Sequence, residues 1–295
     1  MTQQLMQDKI VLVTGATGGI GKHTAIALAR MGAQVIVTGR NPATASQAVT
    51  EIKRAGDNPN IEYFLADVSN QADLRALVAQ FKTKYERLDV LINNAAQAAP
   101  KRQLTPDGIE SNFAVNVIAP FLLTQLFLDS LQAAQDARVI CLMGGDVPAK
   151  LDMDNLQAER SFEGLVSYSQ SKVAMLAVMC EFAQRMQNTN ITINTCYPGH
   201  ASTNMTRSVT PEMLPRGMRW IFPVYKFLTR PDGDKSAAKA SQASVYLASS
   251  AEVRGITGKY FNPKSKQVPL PQAALDATIR QQLWTMVHEL THTPQ

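Results

Sequence analysis

The chain has 295 residues, 45% of them hydrophobic and 18% charged, enough to bury a substantial core and unlike a disordered chain. Its formal net charge of +5 comes from dispersed basic residues, without zinc-finger spacing or an aromatic-basic ladder, which argues against a nucleic-acid partner and suits a phosphate-bearing one. There is no apolar signal stretch at the start and no run of the ~18–20 apolar residues needed to span a bilayer, and Cys141, Cys180 and Cys196 lie in apolar surroundings, so the expectation is a cytoplasmic protein with buried, reduced thiols.

In chain order, Ile10–Val13 reads as a short buried strand, followed by Thr14-Gly15-Ala16-Thr17-Gly18-Gly19-Ile20-Gly21 and a helix from near Lys22 to Gly32. Gly15, Gly19 and Gly21 stand where a strand turns sharply into a helix and where a side chain would hold the backbone away from a pyrophosphate. The free N–H groups of the following helix would face that anion. Gln34–Val37 is a second strand, and Asn41 caps a helix running towards Arg54. Ile61–Ala66, Ala72–Tyr85 and Val90–Ile92 supply the next strand, helix and strand. A long helical segment spans Gly108 to Ala134, with Pro120 as a kink or boundary. Val139–Met143 is the fifth strand, Ser167–Met186 the longest helix and Ile191–Thr195 the sixth strand. A loop-rich segment from His200 to Asp232, a helix at Lys235–Ala248 and a last strand within Gly255–Phe261 follow.

Apolar strands with little alternation, each followed by a helix, imply a parallel sheet covered on both faces. The expected architecture is α/β: a single Rossmann-like domain with a doubly wound sheet of about seven strands. Its catalytic part would be residues 1–262, with a substrate-loop insert at about 200–232, and residues 263–295 would form a C-terminal extension of the same domain. In that extension Leu275, Ile279, Leu283, Met286 and Leu290 mark one amphipathic face, for docking on the subunit or between subunits.

The second strand ends Val37-Thr38-Gly39-Arg40, where a dinucleotide fold specific for NAD places a ribose-binding acid. Arg40 instead offers a guanidinium fork suited to a 2′-phosphate, which favours NADPH, with Lys22 and Thr38 as secondary contacts. Asp67, at the end of the third strand with Val68 after it, is placed to accept from the adenine amine. Asn93-Asn94-Ala95-Ala96 ends the fourth, where a ligand crossing the sheet edge would lie. Tyr168 and Lys172, four residues apart, share one helix face. A cation beside a phenol favours the phenolate and tunes it for general acid–base work.

With these residues in place, the chain resembles the short-chain dehydrogenase/reductase family over roughly residues 8–262, most nearly its retinol-dehydrogenase-like branch. Thr14-Gly15, Thr17 and Gly19-Ile20-Gly21 match the cofactor loop, Asp67 and Val68 the adenine pocket, and Asn94-Ala95 the motif after the fourth strand. Tyr168 and Lys172 match the catalytic pair, and Asn116 falls where the family's asparagine holds a water and the lysine. Pro198-Gly199 with Thr203 match the nicotinamide-side motif. The resemblance implies NADP(H) as cofactor, Asn116, Tyr168 and Lys172 as the catalytic set, with Tyr168 and Lys172 also contacting the cofactor, and a homodimer or homotetramer.

One departure stands out. The family's serine at the end of the fifth strand aligns with Gly144, after Met143 and before Gly145-Asp146. Losing one donor to a developing oxyanion costs about 10²–10³ in rate. Two expectations follow: hydride reduction of a carbonyl with Tyr168 as proton donor, or an NADPH-binding sensor or atypical reductase with little ordinary carbonyl activity.

Met205, Met213, Leu214, Met218, Trp220, Ile221, Phe222, Val224, Tyr225, Phe227 and Leu228 form a loop suited to an apolar small-molecule substrate. Arg216, Arg219, Lys226 and Arg230 within it would meet a carboxylate or, in weak peripheral contact, an anionic membrane. His288-Glu289-Leu290-Thr291-His292 has zinc-protease spacing but no downstream third ligand, so no metal is expected.

Overall fold

The computed structural model describes residues 5–144, 150–232 and 234–293. Gly145 and Asp146, read with the end of the fifth strand, lie outside the described residues, as does the side chain of Arg216.

The first half is a regular alternation. β1 (Ile10–Val13), α1 (Gly19–Arg30), β2 (Gln34–Gly39), α2 (Pro42–Gly56), β3 (Ile61–Leu65), α3 (Gln71–Lys82) and β4 (Val90–Asn93) follow one another. Local chemistry sets the helix starts. The Asn41 side chain accepts from the Thr44 N–H ahead of Pro42, and Asn70 accepts from Ala72 and Asp73. Gly18 gives α1 no side-chain cap, so its first turn keeps N–H groups free.

The expected helix at 108–134 is broken into α4 (Ser111–Phe113), a π-turn at Ala114–Ile118, α5 (Ala119–Leu126) and α6 (Leu128–Gln132). Pro120 has no N–H and its ring crowds the carbonyl four residues back. The chain accommodates it by widening, and the Ala119 N–H reaches back five residues to the Ala114 carbonyl. The remaining elements are β5 (Ala137–Leu142), α7 (Gly164–Arg185), β6 (Ile191–Cys196), α8 (Asn204–Arg207), α9 (Phe222–Leu228), α10 (Lys235–Ala240), α11 (Gln242–Ser249), β7 (Tyr260–Phe261), β8 (Gln267–Val268), α12 (Gln272–Leu275) and α13 (Ala277–Thr291).

The strands form one sheet in the order β3-β2-β1-β4-β5-β6-β7-β8. Every neighbouring pair is parallel except β7 and β8. The eighth strand was not foreseen: it is two residues long and carries no periodic signal. The run Lys235–Ala248, expected as one helix, divides at Ser241.

Alternate residues of each central strand feed two cores. Leu12, Ile36, Leu91 and Val139 pack on the face that holds α7 and α13, while Val11, Val13, Val35, Val37 and Ile92 pack with residues of α1, α2 and α11. The anticipated helix breaks at Asp276, which leaves Leu275 exposed at the end of α12, and on α13 the most deeply buried apolar residues are Leu283, Trp284 and Val287. Trp284 meets Phe121 and Phe182 edge-on at 5.5 and 5.2 Å, which turns the helix slightly from the face that spacing predicted.

Strand order reverses between β1 and β4. In an open sheet of this kind, the crevice beyond the strand ends at such a reversal is where a ligand fits.

Candidate functional site

The turn after β1 is held from the opposite side of the reversal. Thr14 Oγ1 accepts from the Asn94 and Ala95 N–H groups, both at 3.0 Å. The Asn94 amide in turn donates to the Thr14 and Gly15 carbonyls at 2.8 and 3.1 Å. This close approach explains two glycines. Gly15 has φ of +63°, and a Cβ there would lie 2.9 Å from Ala95 Cα. A Cβ on Gly21 would lie 2.4 Å from the Asn94 amide nitrogen. Thr14 and Asn94 therefore shape the loop, a task that spacing could not separate from ligand contact.

Around this loop, Thr17 packs over Gly39, Ile20 leans on the core, and Thr38 is buried with its hydroxyl 3.4 Å from the Gly15 N–H. Thr203 closes the far side: a Cβ on Gly19 would touch its methyl at 3.1 Å. Thr203 caps α8, and Gly199, with φ of +83°, lets the chain turn after Pro198. The segment after β6 is thereby brought against the loop after β1.

Beyond β2 and β3 lies an open cavity of about 480 Å³ lined by Arg40, Asn41, Leu65, Ala66, Asp67 and Asp73. Asp67 Oδ1 accepts from the Ser69 N–H and hydroxyl, while Oδ2 faces Arg40 Nη1 at 3.8 Å. Val68 packs on the core beside it. Arg40 is largely exposed, so its guanidinium is free to exchange this loose partner for an anion. Lys22, expected beside the same anion, is held by Glu51 at 3.0 Å and Asp234 at 3.6 Å. A glycine turn, an uncapped helix start and an open cavity with the exposed Arg40 guanidinium at its rim, in line along the strand ends, fit a dinucleotide bearing an extra phosphate.

Past the end of β5, α7 places Tyr168 and Lys172 one turn apart, both buried. The Lys172 ammonium donates to the Leu142 carbonyl at 2.8 Å, at the end of β5. Asn116, in the π-turn, donates to the Gln97 carbonyl at 2.8 Å and to Ser171 Oγ at 2.9 Å, and accepts from the Gln97 N–H at 3.0 Å. Ser171 donates to the Tyr168 carbonyl at 2.7 Å, completing a chain from the loop after β4 to the tyrosine. Gln97 and Ser171 went unnoticed in the sequence, where nothing in their spacing sets them apart.

Residues 9–214 match the family described as short chain dehydrogenase. The chain belongs to that family. It is 33% identical to Retinol dehydrogenase 14 of Homo sapiens, over 95% of this chain and 85% of that one. It is 32% identical to the Homo sapiens Polyprenol dehydrogenase, over 96% and 85%. Among solved structures, a short chain dehydrogenase from Escherichia coli CFT073 complexed with NADPH covers 90% of this chain and 100% of its own, with TM-score 0.66 and 26% identity. This short-chain dehydrogenase is thus an oxidoreductase, similar to the retinol-dehydrogenase-like branch.

Its site departs from the sequence expectation at three points. A Cβ built on Gly144 falls 2.0 Å from Tyr168 Oη and 3.1 Å from Cζ, so the phenol occupies the space a side chain at 144 would take. Burial, with Tyr197 and Tyr225 nearby, pushes the Tyr168 phenol up, against the lowering expected from Lys172. Burial also brings Lys172 down to about 8. Asn116 spends its side chain on Gln97 and Ser171 and keeps no amide hydrogen for a water.

Cys141 is a core thiol, with burial pushing it up to about 12. His288 is taken up in ring packing, 4.9 Å from Phe121 and 4.7 Å from Trp284, with Nδ1 on the Thr293 hydroxyl at 2.9 Å. Among the described residues, no helix is long and apolar enough to cross a membrane.

Proposed function

We propose that this short-chain dehydrogenase binds NADP(H) along the β1–β4 reversal and reduces the carbonyl of an apolar aldehyde or ketone. The observation that carries this reading is the buried Tyr168–Lys172 pair at the end of β5, on the same edge of the sheet as the glycine turn after β1. Similarity to a retinol and a polyprenol dehydrogenase supports an apolar substrate class, and the NADPH-bound relative supports the cofactor.

Thr14, Gly15, Thr17, Gly19, Ile20 and Gly21 form the pyrophosphate side of the site, and Asn94 and Ala95 brace it. Arg40 takes the 2′-phosphate, Asp67 and Val68 flank the adenine, and Pro198, Gly199 and Thr203 border the nicotinamide. When bound, the cofactor supplies the hydride. Tyr168 keeps its Oη proton through burial and delivers it to the substrate oxygen as negative charge develops there. Lys172, anchored on the Leu142 carbonyl, sets a positive charge beneath the site and favours the resulting phenolate. Asn116 positions the pair through Gln97 and Ser171. Gly144 stands where the family's serine would donate, so the substrate oxygen is held chiefly by Tyr168.

The filled space at Gly144 favours a second reading, an NADP(H)-binding sensor with little carbonyl activity. NADPH oxidation measured over a panel of apolar aldehydes and ketones separates the two. Turnover should fall about 10²–10⁴-fold in Tyr168→Phe with NADPH affinity unchanged. Turnover indifferent to that change overturns the first reading, and its absence from the wild type across the panel favours the second.

A further inference from the structure

Ten large hydrophobic side chains are exposed among the described residues, and five of them, Met218, Trp220, Val224, Phe227 and Leu228, fall within residues 218–228. They are not scattered. Trp220, Val224, Phe227 and Leu228 stand at i, i+4, i+7 and i+8, one continuous helical stripe through the turn preceding α9 and through α9 itself. The opposite side of the same segment is already used: Ile221, Phe222 and Tyr225 pack on the small core of Val209, Met213 and Leu214. The outer stripe therefore has no role in holding the segment down. Trp220 is 79% exposed and Leu228 74%, a cost in water that an unpartnered surface does not usually carry.

The charges within the segment itself have one sign, with Glu212 and Asp232 at its two borders. From Met213 to Pro231 the sequence contains Arg216, Arg219, Lys226 and Arg230 and no acidic residue. The Arg230 guanidinium lies over the Phe227 ring at 4.7 Å, and the Lys226 ammonium 5.5 Å from the Phe222 ring centre. A guanidinium beside the exposed Phe227 ring, with a tryptophan on the same stripe, matches the depth profile of a lipid interface. There, rings enter the headgroup region and ammonium and guanidinium groups meet lipid phosphates.

We infer that the outer face of the 216–230 segment docks on an anionic bilayer surface. The same segment is tied to the site: Tyr225 donates to the Thr206 carbonyl at 3.0 Å, and Ser202 donates to the Thr229 carbonyl at 2.9 Å. Docking thus brings the lipid phase to the stretch that carries Thr203, and an apolar substrate dissolved in the bilayer has a short route to the cleft. The surface assignment itself does not depend on carbonyl reduction, because attachment needs no turnover.

Vesicle binding of the full chain, without cofactor or substrate, tests it. The protein should sediment with vesicles of mixed phosphatidylcholine and phosphatidylglycerol and at least about tenfold less with phosphatidylcholine alone, and salt should release it. The chain has two tryptophans and Trp284 is buried, so a blue shift of emission on binding reports Trp220. The double variant Trp220→Ser, Phe227→Ser should lose at least about tenfold in binding while its circular dichroism and melting temperature stay near wild type, both side chains being exposed. Failure to bind the anionic vesicles overturns the inference, as does undiminished binding by the double variant. Self-association of the free protein that the double variant abolishes would assign the stripe to a second copy of the chain instead. None of these outcomes bears on the Tyr168→Phe measurement, so the two readings fail separately.

Discussion

Gly144→Ala adds a single methyl group and no polar atom, so it isolates the steric consequence of the residue standing at the end of β5. That methyl would sit 2.0 Å from the Tyr168 hydroxyl, where ordinary contact begins near 3.4 Å, so the phenol oxygen must retreat by about 1.4 Å. The retreat is not free. Tyr168 is buried on the longest helix, and its backbone carbonyl is bonded to Ser171 and through it to Asn116. A misplacement of about 1 Å at a reacting group costs about 10²-fold in rate, and overpacking a filled site destabilises by about 1–3 kcal/mol. The expected result is therefore a hundredfold fall in kcat for aldehyde reduction and a lowered melting temperature, with NADPH affinity retained because the glycine turn is untouched. Gly144→Ser should behave in the same way despite restoring a hydroxyl. The assays are steady-state NADPH oxidation, cofactor titration by fluorescence and thermal denaturation. If either variant turns over at or above the wild-type rate, the phenol does not depend on the space at 144 and the steric account is wrong.

Two other outcomes follow from the same geometry. Arg40→Glu places a like charge where the 2′-phosphate is assigned, so NADPH affinity should drop at least about tenfold while NADH affinity changes little; equal losses for both would remove Arg40 from the phosphate site. Lys172 carries a pH signature of known sign. Burial lowers it from 10.5 to about 8, so between those values the unfolded lysine keeps a proton that the folded one has lost. Stability from this group is then least below pH 8 and rises with pH through the window. The stability of the wild type relative to Lys172→Met should therefore climb by about 3 kcal/mol across it, the cysteine and tyrosine contributions cancelling in the difference. A flat difference in chemical denaturation across that range would show that Lys172 does not titrate this way.

Much of the fold was legible because its signals are local. Apolar runs of four to six residues, Asn41 at a helix start, and glycines at the strand–helix turn each act over a few residues. Burial on both faces of a parallel sheet leaves a strand no polar side, and composition alone reveals that. The π-turn at Ala114–Ile118 was less legible. Pro120 announces a disturbance, but whether the helix kinks, stops or widens depends on what packs around it. The eighth strand and the rotation of α13 escaped for the same reason: two-residue pairing and the burial of Trp284, which lies off the expected stripe, are decided by neighbours distant in sequence.

The residue types in the cleft were readable one by one, since a glycine turn, Arg40 and the Tyr168–Lys172 spacing each imply a chemistry. Their mutual constraints were not. That Asn94 needs Gly21 to be bare, that Asn116 is spent on Gln97 and Ser171, and that Tyr168 fills the place left by Gly144 are all distances between segments far apart in the chain. Sequence determines which groups are available and on which local element each sits. Only tertiary packing decides which of them share a few ångströms, and burial there raises the phenol of Tyr168 where a neighbouring cation alone would have lowered it.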